Sequence, residues 1–301
     1  MREAINDNRS FGGYQRASCV ERGHTSADPP SLILLPYREP KPRLPSPYSP
    51  MIDIHSHILP GLDDGSKSWE MTLEMCRLAI RDGITHIVAT PHANDTYVYS
   101  PDRVRSLVTE LDNKIGDQLA IGIGCDFHLS FENIEDAIAH PRRYTIASKQ
   151  YLLVELSEYG IPPQISDSFW RLQAAGIIPI ITHPERNAIL QRRPERVLEW
   201  VDAGCLAQVT ASAVTGLWGD AARRIAMWLL EKDAVHVLAS DAHDDKHRKP
   251  ILSEARDVVS KRFGADLARE LVQDNPEAIV SGRPLPFSRP AQRRIMSRRN
   301  A

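Results

Sequence analysis

Histidine and carboxylate side chains recur at short spacings in this 301-residue chain, most densely just after residue 51. The apolar stretch MIDIHSHILPGLDDGS contains His55 and His57 two residues apart, and two aspartates follow them. Residues two apart on a strand project from the same face, so both imidazoles can bind one cation. Asp241 and His243 repeat this spacing near the other end of the chain. A single pair of this kind is weak support for a metal site, so the prediction of such a site depends on where the other polar residues lie.

Similar side chains stand at the ends of six apolar segments that have the composition of β-strands. In a barrel of parallel strands the carboxyl ends all meet on one face, and the loops that follow them converge there. We therefore expect the polar residues at these ends to form one site. The candidate metal ligands are His55, His57, Asp64, His92, Asp126, Glu155, His183, Asp241 and His243.

This donor set is typical of a multinuclear metal site. Imidazole and carboxylate groups are the usual ligands of Zn²⁺, Mn²⁺ and Fe²⁺, and no thiolate is among the candidates. One ion normally takes about three to six protein donors, so the candidates predict two or three divalent ions. Metal ions held roughly 3.5–4 Å apart lower the pKa of a bound water toward about 7 and neutralise charge on substrate oxygens. The pattern therefore indicates a hydrolase.

Two arginines follow ligand motifs closely and suggest the substrate. Arg186 and Arg248 are expected to border the metal cluster, where a guanidinium can grip a phosphate through two parallel hydrogen bonds. The alternative is a salt bridge to Glu185 or Asp244. We interpret Asp63 and Glu185 as residues that orient ligands or cap loops rather than bind metal.

Helix-like segments separate the strands. Gly83 is typical of a helix C-cap, and Ser100 with Pro101 is typical of a helix start. Further helices are predicted around residues 164–175, 194–203, 218–232 and 251–273. Continuous apolar strands that alternate with helices indicate an α/β fold with a parallel sheet covered by helices. About seven such units favour a closed barrel, although periodicity alone does not distinguish it from an open sheet.

Composition excludes several classes of protein. Hydrophobic residues make up 42% and charged residues 25%, and the net charge of −2 gives no general attraction to nucleic acid. No apolar run approaches the roughly 20 residues of a membrane-spanning helix, and no secretory signal is recognisable. We expect a cytoplasmic protein that is not an integral membrane protein. None of the four cysteines has an arginine six positions later, as a cysteine-based phosphatase would require.

The composition also predicts three regions. Residues 1–50 are proline-dense and form a predicted disordered leader. Residues 51–286 contain all the candidate site residues and form the predicted catalytic domain. Residues 287–301 carry several arginines and no acidic residue, which predicts a solvated basic tail, with a contact for an acidic partner or a membrane surface as the alternative.

Taken together, the motifs MIDIHSHILPGLDDGS, ATPHAN, ITHPERN and ASDAH resemble the PHP (polymerase and histidinol phosphatase) superfamily. They are most similar to its bacterial capsule-type (CpsB-like) protein-tyrosine phosphatases. The resemblance implies a distorted (β/α)7 TIM-like barrel with two or three divalent ions, often Mn²⁺, with Fe²⁺, Zn²⁺ or Mg²⁺ as alternatives. It implies hydrolysis of phosphotyrosine in proteins. The implied partner is a bacterial tyrosine kinase, whose tyrosine-rich tail regulates capsule or exopolysaccharide synthesis.

The resemblance also bears on individual residues. Arg186 and Arg248 fall at the family's phosphate-contacting positions, and the candidate ligands other than Asp126 match its metal ligands. The family's third strand ends in G-x-E, and its glutamate bridges two metals. Here the run is Gly124-Cys125-Asp126, with a side chain one methylene shorter. This difference puts the occupancy of one metal position in question.

Three other functions fit parts of the pattern. A small-molecule phosphatase of the histidinol-phosphate type would use the same site. An amidohydrolase also opens with H-x-H, but it usually adds a carbamylated lysine at a strand end, and Lys67, Lys114 and Lys149 are not so placed. A non-catalytic module that binds a kinase tail is the remaining class, and binding alone does not require a multinuclear metal site.

Overall fold

The structure of the protein is a computed structural model, which describes residues 50–286. The predicted basic tail and, apart from residue 50, the predicted leader lie outside the described residues. The proposed domain boundaries therefore stay predictions. No helix within the described part of the chain is both long enough and apolar enough to cross a membrane.

Nine short strands form the centre of the described domain, and all their pairings are parallel. They are β1 (Met51–Ser56), β2 (Ile84–Ala89), β3 (His92–Ala93), β4 (Ala120–Ile123), β5 (Asp126–His128), β6 (Tyr151–Glu155), β7 (Ile178–Thr182), β8 (Leu206–Thr210) and β9 (Val237–Ala239).

Eleven α-helices occur between and after the strands in the described residues. They are α1 (Trp69–Asp82), α2 (Pro101–Ile115), α3 (Phe131–Ala139), α4 (Ile165–Ala174), α5 (Ala188–Arg192), α6 (Glu195–Asp202), α7 (Ala211–Thr215), α8 (Gly219–Glu231), α9 (Ser253–Phe263), α10 (Ala265–Arg269) and α11 (Asn275–Ser281). A π-helical turn at Glu270–Asp274 joins the last two, and short 3₁₀ turns lie at Gly116–Gln118 and Ile146–Ser148.

The strands form seven tracks around a distorted barrel. The pairing orders are β1-β2-β4 and β3-β5-β6-β7-β8-β9. Short breaks at residues 90–91 and 124–125 separate β2 from β3 and β4 from β5, so each of these pairs is one interrupted track. These breaks distort the barrel, as the family resemblance implied. The predicted α/β barrel is confirmed.

Backbone and side-chain hydrogen bonds join the first track to the last. The Asp241 N–H donates to the His55 carbonyl at 2.9 Å, and Ser56 and Ala242 form a parallel bridge. Below this point the buried Asp53 carboxylate accepts from the Ser240 N–H at 3.0 Å. Burial raises the pKa of Asp53 to about 6. These contacts, which we call the seam, close the circuit between β1 and β9.

The helix ends follow the local signals in the sequence. Ser68 caps α1 by accepting from the Met71 N–H, and Gly83 ends that helix with a φ of 92°. Ser100 caps α2 in the same way, and Pro101 is its first residue. The region 251–273, predicted as one helix, instead divides at Gly264, whose φ of 102° favours glycine.

Two apolar layers hold these elements together. The larger layer packs the helices against the outside of the strands. The smaller one fills the barrel interior and includes Ile54, Val88, Leu153, Ile180 and Val237. Burial of apolar surface stabilises a fold by roughly 25 cal/mol per Å². The interior layer forms an apolar floor beneath the carboxyl ends of the strands.

Candidate metal centre

All nine candidate ligands lie together at the carboxyl ends of the strands. Their donor atoms fall into four groups, and within each group the atoms are within 4.8 Å of one another. The groups are His57-Asp64-His92-His243, His55-His57-Asp126, His55-His183-Asp241 and His92-Asp126-Glu155. These groups contain every residue that the sequence predicted and no other described residue. Their role as ligands stays a prediction, but their convergence is a property of the fold.

The groups overlap, as expected for neighbouring cations that share ligands. His55, His57, His92 and Asp126 each belong to two groups. The Nε2 atoms of His55 and His57 are 3.3 Å apart, so the H-x-H pair faces one position. By contrast, Asp241 and His243 belong to different groups, so that pair is divided between two positions.

An irregularity in β1 turns the histidine pair toward the site. The register between β1 and β2 shifts between Asp53 and Ser56. Ile54 is part of the interior layer. The register shift allows the side chain of its neighbour His55 to point into the barrel too, at the mouth. Strict alternation along the strand would place these two side chains on opposite faces.

Hydrogen bonds behind the two imidazoles set their orientation. His55 Nδ1 lies 2.9 Å from Gln208 Oε1, and His57 Nδ1 lies 2.7 Å from Asp63 Oδ2. An Nδ1–H that donates to these oxygens leaves each Nε2 lone pair for a cation. Burial opposes the ionisation of Asp63, yet the His57 imidazole and two backbone N–H groups lower its pKa to about 2. Asp63 therefore has the orienting geometry that its position suggested.

Asp126 provides a direct test of whether a cation fits. Its side chain is buried, and neither carboxylate oxygen has a hydrogen-bond partner among the described residues. Asp126 Oδ2 lies 3.2 Å from His92 Nδ1 and 3.5 Å from His55 Nε2. A buried carboxylate is costly without hydrogen bonds or a counter-charge, and a shared divalent cation supplies that charge. The donor set and its buried oxygens therefore fit a metal centre.

The ionisable groups of the cluster and their burial shift the pKa values of several of its members strongly. Burial and the nearby Asp126 carboxylate raise the pKa of Glu155 to about 7. Burial alone would lower the pKa of His55, but Asp241 and Asp126 raise it to about 9. Burial lowers the pKa of His183 well below its usual range. Such opposed shifts in a small volume are typical of functional sites.

Both predicted arginines border the cluster. The Arg248 guanidinium donates to Asp241 Oδ2 at 2.6 Å, and that of Arg186 contacts the same oxygen. Neither guanidinium forms an ion pair with Glu185 or Asp244, the partners considered from the sequence. Glu185 is buried and accepts instead from the Thr210 N–H at 3.0 Å, and burial raises its pKa to about 7.

Trp218 is a site residue that the sequence analysis missed. The Arg186 Cζ lies 3.8 Å from the centroid of the Trp218 ring, and that of Arg248 lies 5.4 Å from it. The indole N–H donates to Ser212 Oγ at 2.9 Å, which fixes the ring. No histidine or acid directly follows β8, so this loop carried no metal-ligand signal. A tryptophan shortly after a strand end was the available signal.

The cysteines of the described residues lie outside the candidate metal groups. The three cysteines in the described residues, Cys76, Cys125 and Cys205, have free, buried thiols, and Cys19 lies outside those residues. Cys125 precedes Asp126, but burial raises the pKa of its thiol well above the usual value. A buried neutral thiol is a poor nucleophile.

The cluster opens into a small cavity at the mouth of the barrel. Its volume is about 90 Å³. The lining residues are Asp64, His92, Glu155, His183, Arg186, Asp241, His243 and Arg248. Polar and charged side chains thus surround the whole hollow, which suits a small anion held between cations and guanidinium groups.

Known proteins share both the sequence and the fold. The family model for capsular polysaccharide synthesis, CpsB/CapC, matches residues 51–281. The tyrosine-protein phosphatase YwqE of Bacillus subtilis is 32% identical over 246 residues, which cover 80% of this chain and 96% of that protein. The tyrosine-protein phosphatase CpsB of Streptococcus pneumoniae is 32% identical over 239 residues, covering 76% and 98%.

A solved structure agrees with these matches. It belongs to a study of YwqE and CpsB, described there as unique metal-dependent tyrosine phosphatases. It aligns with a TM-score of 0.74 at 33% identity and covers 80% of this chain and 98% of the other.

Proposed function

Since this chain belongs to the CpsB/CapC capsular polysaccharide synthesis family, as its motifs predicted, we propose that it is a metal-dependent protein-tyrosine phosphatase. It hydrolyses the phosphate monoester of phosphotyrosine in proteins. The observation that carries this function is the convergence of nine histidine and carboxylate side chains with two arginines around one small cavity.

The nine clustered residues hold two or three divalent cations in this proposal, with Mn²⁺ first and Fe²⁺, Zn²⁺ or Mg²⁺ as alternatives. When bound, such cations supply Lewis-acid stabilisation of phosphoryl oxygens and lower the pKa of water. Gln208 and Asp63 keep the His55 and His57 rings oriented toward the cations. Asp126 spans two of the four groups and supplies negative charge between them.

Arg186 and Arg248 bind the oxygens of the substrate phosphoryl group. Both guanidinium groups line the cavity and point to the Asp241 carboxylate, next to the candidate cation positions. Phosphoryl transfer is catalysed almost entirely by positioning and by neutralisation of oxygen charge. The Trp218 ring stacks on the two guanidinium groups and limits the orientations that these side chains can take.

The proposed substrate is the phosphorylated, tyrosine-rich tail of a bacterial tyrosine kinase that regulates capsule or exopolysaccharide synthesis. The name of the matching family supports a link to capsular polysaccharide. This substrate places the reaction in the cytoplasm. The kinase acts as a protein partner, and neither nucleic acid nor membrane insertion is part of the proposal.

Phosphate release from a phosphotyrosyl peptide tests the function. Protein stripped of metal with a chelator, and checked by elemental analysis, should be inactive, and Mn²⁺ should restore turnover. Histidinol phosphate measured in parallel tests the small-molecule alternative, and we expect a much lower kcat/KM for it. Full activity in demonstrably metal-free protein would overturn the proposal. Tight peptide binding without phosphate release would support the non-catalytic alternative.

A further inference from the structure

We propose that an exposed apolar rim around the cavity binds the residues that flank the phosphotyrosine and selects apolar or aromatic neighbours over acidic ones. This proposal rests on the proposed phosphatase function and concerns the same site. The rim consists of the exposed side chains of Val98, Tyr159 and Leu217 and the half-buried rings of Tyr97 and Trp218. It belongs to three loops, which follow β3, β6 and the β8-α7 unit at the face of the barrel that carries the metal cluster.

The distribution of exposed apolar side chains first indicates the rim. Among the described residues, the large hydrophobic side chains that are most exposed are Val98 (93%), Tyr159 (102%), Trp170 (68%) and Leu217 (63%). Three of these four lie on loops that follow strand ends at the mouth. Side chains this exposed gain little burial energy in the free protein, and clustered apolar surface marks interaction sites.

Two aromatic contacts connect the rim to the cavity. The Tyr97 ring stacks on His92, with centroids 5.9 Å apart and an interplanar angle of 13°. The Trp218 ring stacks on Arg186. Both His92 and Arg186 line the cavity. The apolar rim therefore borders the polar hollow directly at two of its lining residues.

The size of the cavity determines which part of a substrate meets the rim. Its volume of about 90 Å³ is far below the roughly 300 Å³ at which pockets begin to enclose small-molecule ligands. It has room for a phosphoryl group, while the tyrosyl ring and the peptide must lie outside it. Those parts then rest on the rim, where aromatic rings favour stacked or edge-on contacts with other rings.

Charge on the same loops sets the preference among peptides. Asp95 lies two residues before Tyr97, and Glu158 directly precedes Tyr159. Both acidic side chains are exposed. They repel acidic residues next to the phosphotyrosine, whereas the rim gains contact area from apolar ones. The partner is therefore a phosphotyrosyl segment with apolar or aromatic neighbours.

Three phosphopeptides test this selection. All three contain phosphotyrosine and differ only at the two positions on each side of it. These positions hold leucine and tyrosine in the apolar peptide, serine and glycine in the serine–glycine peptide, and glutamate in the acidic peptide. For the wild-type protein with Mn²⁺, we expect kcat/KM to be about fivefold to tenfold higher for the apolar peptide than for the serine–glycine peptide, and lowest for the acidic one. Binding of matching peptides with a non-hydrolysable phosphonate should follow the same order.

Variants identify the surface responsible. The double substitution Val98→Ser with Leu217→Ser should reduce the preference for the apolar peptide to less than about twofold, because the exposed contact area is lost. Trp170→Ala removes an equally exposed aromatic ring on α4 and should keep the full preference. The proposal would be overturned if the wild-type protein had equal kcat/KM for the three peptides, or if the preference for the apolar peptide survived the double substitution. A different outcome is that the enzyme releases phosphate from none of the peptides while the phosphonate peptides still bind in the expected order. That result would contradict the phosphatase function but support the role of the rim in peptide binding.

Discussion

At the scale of single residues, Asp126 and Trp218 show what spacing in a sequence can and cannot reveal. Asp126 was found because it ends a strand-like segment, and its short side chain still belongs to two donor groups. The lost methylene is therefore compatible with a bridging position. Trp218 was not found, because its role depends on stacking against arginines from two other loops. Contacts of that kind arise from tertiary structure and leave no local pattern.

Replacing Asp126 tests its proposed position between cations. Asp126→Asn keeps the volume but removes the charge, and we expect Mn²⁺ affinity to fall at least about tenfold. Titration calorimetry and the metal content of the purified protein measure this without reference to turnover. Asp102→Asn, at an exposed position on α2, is the matched control and should bind Mn²⁺ normally. Unchanged metal content in the Asp126 variant would contradict the assignment.

Trp218 should act through the arginines. Trp218→Ala should lower kcat/KM for p-nitrophenyl phosphate by about threefold to thirtyfold, the range expected when a cation–π contact is lost. Trp218→Phe keeps an aromatic face and should recover part of the loss. In an Arg186→Ala background, Trp218→Ala should have a much smaller effect, since its main partner is gone. Fully additive losses in the double variant would show that Trp218 acts by another route.

At the scale of helices and strands, the sequence predicted the barrel well and its irregularities poorly. Apolar runs identified the long strands, and Ser68 with Gly83 marked both ends of α1. The helices α5 and α7 are only five residues each, too short to show a helical period. The breaks within two strand tracks and the register shift in β1 depend on pairing with neighbours, which no local signal records.

His86 in β2 illustrates the same limit. From its position within a strand, the sequence predicts that this polar side chain faces a helix rather than the site. Instead, its Nε2 lies 2.8 Å from the point where a Cβ on Gly122 would be, beside Val88 of the interior layer. The ring is thus turned into the barrel, and glycine at position 122 provides the space. Burial lowers the pKa of His86 to about 4.

This buried imidazole should make stability depend on pH. Between its usual pKa of 6.5 and the folded value of about 4, the unfolded chain binds the proton and the folded chain does not. This group by itself therefore lowers the stability of the fold, by about 2 kcal/mol between pH 7.5 and pH 5. In urea unfolding, the change in stability between these two pH values should be about 2 kcal/mol less unfavourable in His86→Gln than in the wild type, because the other buried groups are common to both proteins. His140→Gln, at an exposed position, should behave like the wild type.

At the scale of the whole molecule, the site is a product of the complete barrel. Six of the seven strand tracks contribute a candidate ligand, and only the β8 track does not. The sequence predicted this convergence because parallel strands bring their carboxyl ends to one face. It did not predict how the ligands divide into groups. That division depends on angles between strands, which are set by packing throughout the barrel.

Metal removal should therefore loosen the whole domain. Ligand at about 100 times its Kd stabilises a folded protein by about 2.7 kcal/mol. For a domain of this size, we expect the Tm to fall by roughly 5–10 °C after chelation and to recover with Mn²⁺. Calorimetry measures the shift, and Asp126→Asn should show a smaller one. A Tm that is independent of metal would mean that the cluster binds no cation in the folded protein.

The seam between β1 and β9 has a consequence for synthesis in the cell. His55 and His57 leave the ribosome early, whereas Asp241 and His243, which complete two of the four donor groups, emerge almost 190 residues later. We therefore expect no phosphatase activity from a nascent chain until nearly all of the domain has been translated. A product that terminates before His243 should be inactive, because it lacks part of the proposed metal site.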